Sequence, residues 1–178
     1  MSFKDNFNKE IRPKVFAELK LKNPMETPRI LKIVLNVGAG EAVASKGVLE
    51  KIQEQMMTIT GQKPVITKAR TSVSAFKIRK GLPIGVKVTL RGERMYSFLE
   101  KLVKIVIPGL RDFRGIGDKS VDQSGNLNIG FPEQTIFPEI EFDKIDKIRG
   151  LEVTIVSTAR DHEKGKKLFE ALGVSFKK

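Results

Sequence analysis

Phe3, Phe7, Ile11, Val15 and Leu19 recur every four residues, the spacing of an amphipathic helix with one apolar stripe. Pro13 falls inside that stripe, where it removes a backbone donor and crowds the preceding turn, so a kink or a late helix start is expected. After Pro24 and Pro28 the period shortens to two. RILKIVLNV reads as a strand, with Leu31, Ile33, Leu35 and Val37 toward a core and Lys32, Val34 and Asn36 on the opposite face. Helical spacing returns with Val48, Leu49, Ile52, Met56 and Ile59; Ser45 is placed to cap this helix and Gly61 to end it.

KPVITKA predicts a short strand and GVKVTLRG a clearer one. In the second, Val86, Val88 and Leu90 alternate with Lys87, Thr89 and Arg91, giving one apolar face and one polar or cationic face. ERMYSFLEKLVKIVIPG predicts a helix that stops at Pro108. A long irregular stretch rich in Gly and Asp follows, with NLNIGF as a strand within it. LEVTIVST is the final strand and EKGKKLFEALG the closing helix.

Between Arg29 and Ser157 this order contains the split β-α-β-β-α-β, or ferredoxin-like, pattern. The expected fold is α+β: a mainly antiparallel sheet with helices packed on one face and the other face open. No repeat and no dividing linker interrupts the chain. One domain over residues 1–178 is therefore expected, with a protruding basic loop at about 71–81 and an irregular region at about 109–146. The open face would carry Lys32, Asn36, Lys87, Thr89 and Arg91.

Charge sharpens that picture. The chain has 178 residues, of which 33 are Lys or Arg and 21 Asp or Glu, a net +12 that calls for an anionic partner. From Gln55 through Gly92 there is no acid at all, while Lys63, Lys68, Arg70, Lys77, Arg79, Lys80, Lys87 and Arg91 fall in that window. Glu133, Glu139, Glu141, Asp143 and Asp146 give the opposite bias against Lys144 alone. Such polarity suits a protein that turns one side to a polyanion. Scattered surface lysines are the simpler alternative, but cations that neutralise phosphates and release counterions explain the long acid-free window better.

Other chemistries fit less well. VLNVGAGEA follows a strand with Gly38 and Gly40, but Val43 stands where a dinucleotide-binding loop needs its third small residue, and no ribose-binding acid follows. The chain has no cysteine and one histidine, His162, so a thiol nucleophile, a disulfide framework and a histidine metal cluster are excluded. His162 reads as a solvated residue near a helix start. An acid–base pair or metal site among Glu139, Glu141, Asp143 and Asp146 is conceivable, although a charge run is usually a solvated face. No cofactor is expected. The first residues lack a signal-peptide core and no apolar run reaches membrane-spanning length, so a soluble cytoplasmic protein without membrane contact is the expectation.

Nucleic acid is the partner the pattern favours. The RNP1 pattern is missing and aromatics are nearly absent from the polar strand face, which disfavours stacking of single strands. No helix-turn-helix or finger signature points to the major groove of DNA. A shaped double-stranded or loop RNA fits best. Val73, Phe76 and Ile78, inside the basic loop, either pack back as a small loop core or touch exposed sugars and bases. Asn36, Gln62 and Thr89 either cap backbone or bond phosphates, 2′-hydroxyls and base edges.

IVLNVGAGEA, GQKPVITKARTSVSAFKIRKGLPIGVKVTLRGERMYSFLEKL, RDFRGI, EQTIFPEI and IRGLEVTIVSTA resemble the bacterial large-subunit ribosomal protein that binds 5S ribosomal RNA, known as ribosomal protein L-five. The likeness covers essentially the whole chain, and LRGERMYSFL with IFPEI carries most of its specificity. It implies a structural, non-enzymatic protein of the central protuberance, whose open sheet face and nearby helix ends hold 5S rRNA. On this sequence Asn36, Gln62 and Thr89 would be the polar contacts, with Lys63, Lys87 and Arg91 neutralising phosphates. The loop from about Thr71 to Gly81, with Ser72, would reach the elbow of the tRNA in the peptidyl site, and Lys77, Arg79 and Lys80 would face its phosphates. The irregular region after RDFRGI would bridge to a head protein of the small subunit. Large-subunit rRNA and neighbouring ribosomal proteins are further implied partners. Two departures from the family pattern are Thr71, where a second base often stands, and Leu127, where an aromatic often does.

Overall fold

A computed structural model of the chain describes residues 3–43, 47–110, 113–140 and 145–177. The N-terminal stripe forms α1 (Phe3–Asn6), a π turn (Phe7–Ile11) and α2 (Arg12–Glu18). Pro13 sits in the first turn of α2, but helical backbone precedes it, so its missing N–H interrupts the bonding of a continuous helix. The π turn ends with the Arg12 N–H bonded to the Phe7 carbonyl, so the proline is met by a local widening of the helix. Phe3, Phe7 and Val15 are buried, as the period of four demands.

The strands are β1 (Ile30–Gly38), β2 (Val65–Lys68), β3 (Pro83–Leu90), β4 (Leu127–Phe131) and β5 (Leu151–Ser157). They form one antiparallel sheet in the order β2-β3-β1-β5-β4. Consecutive β2 and β3 pair as a hairpin, whereas β1 and β5 become neighbours only through long connections; this is the order the split pattern requires. Between them lie α3 (Val48–Thr60) and α4 (Gly92–Lys101, continued by a π turn to Val106), and α5 (His162–Ala171) follows β5.

Alternation along the strands separates two faces. Ile33, Leu35 and Val37 of β1, Val86, Val88 and Leu90 of β3, and Leu151, Val153 and Ile155 of β5 are all buried. One expectation is corrected at the start of β1: Leu31 is 41 % exposed, and Ile30 is buried in its place. The strict alternation holds only from Lys32 onward.

The chain divides into two compact units, residues 1–33, 91–129 and 154–178 in one, and residues 34–90 and 130–153 in the other. In the first, Phe7 packs against Tyr96 with ring centroids 5.6 Å apart. There the expected strand NLNIGF appears as β4, tied to β5 by the Thr154 hydroxyl donating to Asn128 Oδ1 at 2.8 Å. Gly165 of α5 lies so close to Gly125 that an added Cβ would stand 2.5 Å from its Cα.

In the second unit, Leu49, Ile52, Met56 and Ile59 form the buried face of α3. Gly61 ends it at φ 65°, its N–H bonded to the Met57 carbonyl at 2.8 Å, the left-handed stop expected of it. Ser45, the expected cap, lies outside the described residues; Gly47 precedes the helix. Beyond Gly38 the backbone makes a 3-10 turn (Gly40–Val43), and the strand beside β1 is the antiparallel β3, so the parallel unit a dinucleotide would need is not built here.

Candidate nucleic-acid interface

The hairpin of β2 and β3 carries the centre of the site. Val65 pairs with Lys87, Ile66 with Val86 and Thr67 with Gly85, and the register slips between Thr67 and Lys68. Gly85 is required at its place: a Cβ would meet Thr67 Oγ1 and the Val37 carbonyl, each at 2.9 Å. Further along β3, Lys87 is exposed and Thr89 half-buried, while Asn36 of β1 is half-buried and points away from the core face. Neither Asn36 nor Thr89 is sealed over.

Gln62 lies in the turn after α3 and is tied down on two sides. Its Nε2 donates to the Thr89 carbonyl at 3.1 Å, and the buried Thr60 hydroxyl contacts the Gln62 carbonyl at 3.1 Å. The side chain of Gln62 therefore extends the β2–β3 ladder by one bond. Its amide oxygen, Oε1, is an acceptor next in the chain to the exposed Lys63. Arg91 is exposed just after β3, with one guanidinium nitrogen 3.5 Å from the Leu31 carbonyl, and it begins the stretch that belongs to the other unit. Lys63, Lys87 and Arg91 have no salt bridge to any described residue.

The basic loop is a closed hairpin. Ala69 N–H bonds the Leu82 carbonyl at 2.8 Å, and Val73 and Ile78 exchange two backbone bonds at 2.9 and 3.1 Å. Ser74–Phe76 makes a 3-10 turn, and Lys77 closes it in the left-handed region at φ 54°. The Ser72 hydroxyl accepts from the Lys80 N–H at 2.9 Å, so Ser72 braces the arm from within. Thr71, Lys77, Arg79 and Lys80 lie on its surface, as do Lys68 and Arg70. Phe76 is 72 % exposed at the tip, which decides against its packing back as a loop core.

The acidic region has other business. Arg149 is buried, and its guanidinium donates to Glu41 Oε1 at 2.8 Å and to Asp146 Oδ1 at 2.9 Å. Its own N–H donates to Gln134 Oε1 at 2.8 Å, and Gln134 Nε2 donates to the Lys147 carbonyl at 2.9 Å. Bonding to Arg149 holds the Asp146 carboxyl down to about 2. An acid–base catalyst needs the opposite displacement, so Asp146 is an ionised anchor. Glu133 accepts from the Thr135 hydroxyl at 2.9 Å, whereas Glu141 and Asp143 lie outside the described residues. His162 Nε2 sits 3.7 Å from Asp118 Oδ2, on the first turn of α5 as expected. Among the described residues no group of three His, Cys, Asp or Glu could hold a metal ion, and no helix is long and apolar enough to cross a membrane.

Sequence reasoning missed Glu41 and Arg149. The only local signal was Asp146 three residues before Arg149; Glu41 lies 108 residues away in sequence.

Chemistry of this kind, a bare polar sheet face with a stiff cationic arm, belongs to the non-catalytic RNA-binding proteins. Comparison with known proteins agrees. Residues 23–79 match the family model described as ribosomal protein L5, and residues 83–176 match the model for the C-terminus of the same ribosomal family. The chain is 49% identical over 177 residues to the large ribosomal subunit protein uL5 of Synechococcus sp. (strain RCC307), covering 99% of each. It is 51% identical over 174 residues to that of Roseiflexus sp. (strain RS-1), and 50% over 175 to that of Dictyoglomus turgidum (strain DSM 6724 / Z-1310). These alignments cover 98% of this chain with 97% of the Roseiflexus protein, and 98% of each chain for Dictyoglomus. The chain belongs to the ribosomal protein L5 family. It is a structural, non-enzymatic constituent of the large subunit of the cytoplasmic ribosome, with ribosomal RNA and ribosomal proteins as its partners.

Proposed function

We propose that the open face of β1 and β3, with the turn after α3, holds 5S rRNA. The observation that carries this is the pair of cations Lys63 and Lys87, unneutralised by any described acid, together with the half-exposed Asn36 and Thr89 in the same unit; Arg91 is a further proposed phosphate contact. Lysine and arginine meet phosphates; Asn36, Thr89 and Gln62 Oε1 meet 2′-hydroxyls and base edges. Half-burial of the polar groups favours a shaped RNA surface that fits down onto the sheet.

The hairpin arm reaches a second RNA, the tRNA in the peptidyl site, through Lys77, Arg79 and Lys80, with Thr71 and Ser72 at its root. Its internal hydrogen bonds support this reading, because a pre-ordered arm loses little entropy on contact. The irregular region serves as the bridge to a small-subunit head protein, with the exposed Glu133 available to a basic partner.

Filter binding of the full chain to folded 5S rRNA over a salt series tests the first part. The expected result is submicromolar affinity that falls steeply with salt. Equal affinity for an unrelated duplex of matched length would reduce the protein to a merely basic one. Competition by acidic peptides would instead support a protein-binding module.

A further inference from the structure

A second concentration of positive charge lies away from the hairpin, wholly within the unit formed by residues 1–33, 91–129 and 154–178. It lines a cleft of about 380 Å³ between α2, the 3-10 turn Pro24–Glu26, the exit of β5 and the start of α5. Arg12, Arg29, Arg160 and Lys164 contribute four cations to its walls, against the single carboxylate of Glu26. None of the four makes a salt bridge with a described residue.

The walls are stiff. Arg29 and Thr158 are locked by the Arg29 N–H donating to Thr158 Oγ1 and the Thr158 N–H donating to the Arg29 carbonyl, both at 2.9 Å. Arg12 donates to the Pro24 carbonyl at 3.3 Å, and the buried Thr27 hydroxyl donates to the same oxygen at 2.8 Å. Arg160, which lines the cleft, stands in the left-handed region at φ 56°, an uncommon conformation for a side-chain-bearing residue.

We infer that this cleft is a phosphate clamp for a second stretch of ribosomal RNA backbone, distinct from the stretch on the open sheet face. Four like charges set against one carboxylate repel one another, and phosphate is the ligand that turns that cost into attraction. Arginine supplies the planar fork that grips a phosphate by two bonds. A protein partner fits poorly: interface cores are depleted of charge and need about 800 Å² from each side, whereas this cleft is narrow and lined mostly by charge. Met25, 78 % exposed at the rim, offers an apolar surface against which a sugar or base can rest.

The inference rests on the ribosomal placement of the chain, and its test separates the two RNA contacts. Met25→p-benzoylphenylalanine and Thr89→p-benzoylphenylalanine proteins are incorporated into large subunits, irradiated, and the crosslinked RNA sequenced. The expected result is RNA from both positions at different nucleotides, with sequencing showing whether the cleft takes 5S or large-subunit RNA. In the same particles, Arg29→Gln with Arg160→Gln should lower the Met25 yield at least tenfold and leave the Thr89 yield unchanged. Crosslinks from Met25 to protein alone, or to no RNA, would overturn the clamp. RNA from Met25 but none from Thr89 would uphold it and sink the open-face reading.

Discussion

Gln62 Nε2 donates to the carbonyl oxygen of Thr89 at 3.1 Å, which joins the turn after α3 to the end of β3. The bond uses the backbone of Thr89 and leaves its hydroxyl on the open face. Gln62→Ala should therefore cost about 1 kcal/mol of stability, the usual worth of one intramolecular hydrogen bond, together with a loss of 5S rRNA affinity. Thr89→Val should lower affinity with little change in stability. Urea denaturation beside filter binding checks both; equal stability losses would mean that Gln62 does not brace the site.

Charge on the face and charge on the arm should separate. Lys87→Gln and Arg91→Gln each ought to reduce the slope of log affinity for 5S rRNA against log salt by about 0.9 if each cation neutralises one phosphate. Lys77→Gln, Arg79→Gln and Lys80→Gln together should weaken tRNA contact in ribosomes and spare 5S rRNA binding. Identical behaviour of the two sets would refute two surfaces.

Ser72 offers a test of the arm's stiffness that leaves its charge alone. Ser72→Ala removes the 2.9 Å acceptor of the Lys80 N–H. Amide hydrogen exchange at Lys80 should quicken several-fold, with global unfolding energy unchanged, because the opening is local.

The Arg149 lock makes stability depend on acidity. The Asp146 carboxyl is held at about 2, below its ordinary 3.8, chiefly by its hydrogen bond to Arg149. Its stabilisation is present above the unfolded value and is lost as pH falls from about 4 through about 2. Asp146→Asn should destabilise the protein by about 1–2 kcal/mol at neutral pH, since Arg149 is buried and would lose one of two anionic partners. The variant should also show a shallower decline of melting temperature over that acidic range in circular dichroism.

Gly165→Ala places a methyl 2.5 Å from Gly125 Cα, where the neighbour is backbone and gives way only by moving a turn. About 1–3 kcal/mol of destabilisation is expected, measurable by denaturant unfolding, despite the better helix propensity of alanine.

Much of this was legible in the residues. The two periods located β1, β3 and α3, and Gly61 marked where α3 stops, since burial on one face forces alternation or a stripe whatever lies opposite. The acid-free run around Lys68 and Arg79 is equally visible in the residues, and the structure places both on the exposed surface of the hairpin arm. Leu31 was misjudged because alternation says which residues share a face, and a strand's end can project beyond what covers that face. Sequence does not decide between two places for Phe76, since an apolar residue in a short loop has no periodic neighbours to settle its direction.

What residues alone determined is the sheet-and-helix architecture, its split order and its concentration of positive charge, because periodicity and charge are properties of neighbouring positions. Pairings across long stretches of chain were settled only by folding: Glu41 with Arg149, Gln62 with Thr89, and the gathering of Arg12, Arg29 and Arg160 around one cleft. Those depend on which strand lies beside which and on how closely backbones approach, at Gly85 and Gly165 above all. Such distances arise from the whole packed arrangement, and no local pattern encodes them.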